Sequence, residues 1–146
     1  MELDIERVMI LLQRKYGAVQ EIHRLTKELE AVLGRNDGVS AAMVLQMRGD
    51  EMIRAEQCME ELWQLGERDR ESPVSPHPGC HGRLRVLVTS DLDEAVGSTK
   101  VEEKIYEIRR KTRVILEQVQ EMDQRLNRRL AGNKSFYRAK SPASHT

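Results

Sequence analysis

The sequence predicts an all-α protein: an antiparallel three-helix bundle, or an elongated helical hairpin with coiled-coil character, with a Pro/Gly-rich insertion between the second and third helices. Three observations predict it. Apolar residues recur at helical spacing along three long segments. Charged residues make up 33% of the chain and aromatics only 3%, which leaves an aliphatic core under a charged surface. Turn-forming residues gather at 34–38 and again at 72–82. The 146 residues suffice for one domain. It divides into a helical hairpin over 1–71, the insertion over 72–98, a third amphipathic helix over 99–131 and a flexible basic tail over 132–146.

The first helix is expected from Leu3 to Leu33. With Ile5 at heptad position a, Leu12, Val19, Thr26 and Leu33 follow at a, and Met1, Val8, Lys15, Ile22 and Leu29 fall at d. Leu11, Ala18, Leu25 and Val32 widen this stripe beyond a two-stranded seam, so the helix should bury against two or more neighbours. Gly17 weakens it locally, by about 1 kcal/mol relative to Ala. Gly34 is expected to end it in the left-handed conformation, with Asn36, Asp37 or Ser40 capping the next helix.

The second helix should span Ser40 to Glu67, with Arg48-Gly49-Asp50 interrupting its stripe and suggesting a bend or a late start. Met43, Met47, Met52 and Met59 read first as gap-fillers of an aromatic-poor core. The competing reading is an adaptable surface for a partner. Three prolines and two glycines between Ser72 and Gly82 exclude a helix there. Arg83 to Thr89 alternates like a strand but has no strand to pair with, so it is expected to pack in extended form against the helices. A single helical turn is expected over Asp91 to Val96. The third helix begins with capping-box spacing at Thr99 and Glu102. Its stripe runs through Val101, Ile105, Ile108, Thr112, Ile115, Val119, Met122 and Leu126, with Leu116 and Leu130 beside it.

The zero net charge conceals an asymmetry, because residues 104–146 carry 11 basic and 4 acidic side chains. Arg109, Arg110, Lys111, Arg113, Arg125, Arg128 and Arg129 could form a nucleic-acid footprint. They occupy no single face and no aromatics interleave with them, so charge pairing inside the fold is favoured and nucleic acid is not the expected partner. His77, Cys80 and His81 are three metal-type ligands in one loop, short of the four that a structural zinc requires. No phosphate-binding, nucleophile-elbow or zinc-protease motif is present. The expectation is therefore a non-enzymatic protein without cofactor or metal. No apolar run reaches the length of a membrane span. Two cysteines make no disulfide framework, and the first residues do not read as a secretion signal, which points to a cytoplasmic protein.

Several phrases then resemble one family. The first helix closes on Leu33-Gly34-Arg35-Asn36-Asp37. The second carries Val44-Leu45-Gln46-Met47-Arg48-Gly49-Asp50-Glu51-Met52. The third carries Ile115-Leu116-Glu117-Gln118-Val119-Gln120-Glu121-Met122-Asp123 and then Leu126-Asn127-Arg128-Arg129-Leu130. Over about residues 5–70 and 101–130 the chain resembles the flagellar export chaperones of the FlgN/FliT type, from which the 72–98 insertion departs. The resemblance implies a protein client, a secreted flagellar subunit, whose amphipathic helix would lie on Ile115, Val119, Met122, Leu126 and Leu130. Burial of that same stripe inside the fold is the competing expectation. A coiled-coil scaffold or adaptor, possible as a homodimer, is the alternative function, and a nucleic-acid-associated regulator the more distant one.

Overall fold

The computed structural model describes residues 3–68 and 82–132. Among these the chain is helical with no strand, and it forms α1 (Ile5–Gly34), α2 (Gly38–Arg68), α3 (Gly82–Thr89) and α4 (Lys100–Gly132). The expected tail beyond residue 132 and the Pro/Gly-rich stretch up to residue 81 lie outside the described residues.

Local hydrogen bonding sets the helix ends. The Asp4 carboxylate caps α1 by accepting the Arg7 N–H at 3.0 Å. At the other end Asn36, not Gly34, takes the left-handed conformation, with φ at 57°. Asn36 N–H donates to the Leu33 carbonyl at 3.1 Å and Asp37 N–H to that of Val32 at 2.9 Å. This paired closure places the left-handed residue two positions later than the sequence suggests, because Asn tolerates that conformation and Gly34 can remain helical. Asp37 then caps α2 by accepting the Ser40 N–H at 3.0 Å. Hydrogen bonding from Ser40 holds the Asp37 carboxyl below its ordinary range.

α1 packs along both α2 and α4, while no described Cα atoms of α2 and α4 come within 8 Å of each other. The start of α1 meets the end of α2, where Arg7 pairs with Glu61 at 3.1 Å. It meets the start of α4 as well, since Val8 and Leu11 share a cluster with Ile105 and Ile108. At the far end Leu25, Leu29 and Val32 of α1 pack with Ala41 and Val44 of α2 and Leu126 of α4. Each such leucine contributes about 1.5–3 kcal/mol on burial. Thr26 enters this apolar layer with its hydroxyl satisfied by the Ile22 carbonyl at 2.7 Å. α2 runs unbroken through Arg48-Gly49-Asp50. Gly17 in α1 faces open space, so Gly17→Ala should raise the unfolding free energy by about 0.5–1 kcal/mol in urea denaturation.

Residues 83–89 correct the expectation of extended packing, because they form α3. Leu84 and Leu87, three apart, reach one face and are fully buried with Leu11, Leu62 and Ile105. That burial outweighs the strand propensity of Val86 and Val88. The following segment makes only a turn, closed by Glu94 N–H on the Asp91 carbonyl at 3.1 Å. Gly97 lies so close to α4 that a Cβ there would stand 2.6 Å from the Glu103 nitrogen.

The start of α4 keeps half of the expected capping box. Glu102 N–H donates to the Thr99 hydroxyl at 3.2 Å. The Glu102 carboxylate reaches Ser98 instead of Thr99, accepting its N–H at 2.8 Å and its hydroxyl at 2.7 Å. Arg83 of α3 holds the other carboxylate oxygen. The Ser98 bonds, followed by Arg83, pull the Glu102 carboxyl down to about 2 from 4.5. A carboxylate with a depressed native pKa stabilises the fold above about pH 4.5, and that stability is lost as pH falls toward 2. Denaturation curves between pH 6 and pH 2 should therefore show a loss of about 2–3 kcal/mol from this group. Glu102→Gln should lack this component and converge with the parent at the acid end.

Candidate functional site

The apolar stripe of α4 is divided by the fold. Val119, Met122 and Leu126 are buried, with Val119 6% exposed, while Ile115 and Leu130 are half-buried. Leu126 packs against α1 and α2. The three central residues of the expected client site therefore serve the core, and a client helix would reach them only by displacing packed side chains.

Exposed apolar surface lies on α2 instead. Val39, Met43 and Met47 are 78%, 61% and 45% exposed, and their four-residue spacing places them one above another. Ile53 is also exposed. Leu45, Met52 and Met59 recur every seven residues along another edge, the first two exposed and the third half-buried. This corrects the gap-filling reading for Met43, Met47 and Met52, which face outward, whereas Met59 packs against the core cluster as that reading expects. The sequence signal was the surplus of apolar positions on α2, too many for one buried stripe.

Much of the basic character of α4 is engaged within the fold. Arg109 donates to the Leu87 carbonyl and the Ser90 hydroxyl, each at 2.9 Å, and to the Ser90 carbonyl at 2.6 Å. It thereby closes the C-terminus of α3, where free carbonyls favour a cation. Arg110 donates to the Leu92 and Ala95 carbonyls at 3.1 and 2.9 Å. Arg113 stands 3.7 Å from Asp93, and Arg125 pairs with Glu30 at 3.5 Å. Lys111 lies over the Tyr16 ring and pairs with Glu107 at 3.4 Å. The role of Arg109 and Arg110 as clamps on residues 87–95 is invisible in a sequence, since their partners are backbone carbonyls.

A cleft opens where α2 and α4 part over α1. One of its cavities, of about 370 Å³, is lined by Leu12 and Lys15 of α1, Met59 of α2, and Arg109, Thr112, Arg113, Leu116, Glu117 and Gln120 of α4. Val88 of α3 and Leu92 close one end. Elsewhere Arg48 of α2 bridges to Asp123 of α4 at 2.6 Å, with its Nε buried and unpartnered among the described residues. Cys58 is buried, and burial pushes its thiol up, away from the reactive thiolate. His77, Cys80 and His81 lie outside the described residues. No described helix is long and apolar enough to cross a membrane. No protein-family model matches this chain, and neither a curated protein nor a solved structure does.

Proposed function

We propose that the chain is a non-enzymatic protein-binding module that holds an amphipathic helix of a partner on the outward face of α2. The carrying observation is the exposed row Val39, Met43 and Met47, on a helix anchored in the core through Ala41 and Val44. Contiguous exposed apolar surface costs solubility and marks interaction sites. Unbranched methionine side chains adapt to partners of differing shape. A helix lying in this row would bury apolar residues at i, i+4 spacing against their counterparts. α1, packed antiparallel to α2 and parallel to α4, forms the frame that holds the row.

A cytoplasmic export chaperone for a flagellar subunit is the specific form of this reading, and it is supported by the sequence resemblance. In this reading the client lies on α2 in preference to Ile115, Val119, Met122, Leu126 and Leu130, because Val119, Met122 and Leu126 are buried. A second reading, a scaffold that self-associates, draws on the same exposed row, which could meet its copy in a homodimer. The clamping of Arg109, Arg110 and Arg113 within the fold removes much of the support for a nucleic-acid regulator. The test is a tagged pull-down from native-host lysate with the parent chain and Met43→Asp/Met47→Asp, read by mass spectrometry. One near-stoichiometric protein lost with the variant is expected. Recovery of only the chain itself favours the scaffold, and equal recovery with both forms rejects the α2 face.

A further inference from the structure

We infer that the cleft between α2 and α4 is a binding site for a carboxylate carried on a short aliphatic stem, with Lys15 as its charge anchor. The inference stands independently of the α2 docking face. Lys15 occupies a core-facing heptad position, is half-buried, and forms no ion pair or hydrogen bond with a described residue. Its neighbours in the cavity include Arg109 and Arg113, the latter paired with Asp93, so Lys15 and Arg109 leave the lining cationic despite Glu117. Arg109 is fixed by backbone carbonyls and the Ser90 hydroxyl, which leave its positive charge without a carboxylate partner among the described residues. Glu56 and Glu60 line the adjoining cavity beside Lys15 but do not pair with it.

A half-buried ammonium beside a guanidinium is costly without an anion. Burial first, and then the Arg109 charge, lower the Lys15 pKa accordingly. The cavity's remaining walls are apolar, with Leu12, Met59, Leu92 and Leu116 suited to an aliphatic stem. Its volume of about 370 Å³ admits a side chain or a medium-length acyl chain. Such a carboxylate could come from a free aliphatic acid or from an acidic residue between leucines in a peptide.

The full chain, labelled with ¹⁵N, should be titrated with octanoate and, separately, with an acetylated and amidated leucine-glutamate-leucine peptide. Saturable shifts at Leu12, Lys15 and Leu116 with either probe are expected, and the tighter probe identifies the source of the carboxylate. Octanol and the corresponding glutamine peptide should bind at least about tenfold more weakly, as should either acid to Lys15→Met, because a hydrogen bond to a charged group is lost. Lys15→Arg should restore binding. The unfolding midpoint of Lys15→Met should be unchanged or raised, which separates lost binding from lost fold. Absence of saturation with both acids, equal binding of the uncharged controls, or full binding by Lys15→Met would overturn the inference.

Discussion

Replacing Val119 by Asp is expected to lower the unfolding free energy by about 4 kcal/mol, from lost apolar burial and an unpaired charge in the core. Val119 is 6% exposed, within the buried stripe of α4. A typical domain has only about 5–15 kcal/mol in reserve, so the variant should be largely unfolded in modest urea. Val114→Asp, on the same helix but half exposed, should change stability by no more than about 0.5 kcal/mol. Urea denaturation followed by circular dichroism distinguishes them. If Val119→Asp keeps its midpoint, the α4 stripe is a surface and its assignment to the core fails.

The Met43→Asp/Met47→Asp pair should behave in the opposite way. Both side chains are exposed in the free protein, so stability should stay within about 0.5 kcal/mol of the parent. In a complex they would be covered, and each carboxylate would then be buried against apolar partner atoms. Loss of two central apolar anchors typically weakens an interface by on the order of a hundredfold. Isothermal titration of the purified partner against both forms measures this. A parallel loss of stability and affinity would instead assign the two methionines a structural role.

The contrast between these variants shows where sequence reasoning succeeds and where it stops. Apolar periodicity located α1, α2 and α4, because burial of one face imposes the helical period, and turn and capping residues set their ends to within about two residues of those observed. It could not show which apolar residues find a partner inside the chain. Val119 and Met43 both sit in apolar patterns, yet the first is buried and the second is 61% exposed. Leu84 and Leu87 looked like strand residues because local alternation is ambiguous over seven positions, and only the pocket left by Leu11, Leu62 and Ile105 makes a helix preferable. Lys15 was readable as an odd residue at heptad position d. The approach of Arg109 from a segment ninety-four positions away was not.

On the proposed reading a different protein docks on the outward face of α2. The most direct test of that reading is photo-crosslinking in the native host, with a benzophenone amino acid replacing Met43 in one strain and Val114 in another. An irradiation-dependent adduct with one other protein is expected from position 43 and none from position 114. An adduct from position 114 alone, or an adduct at position 43 containing only a second copy of the chain, would contradict that reading.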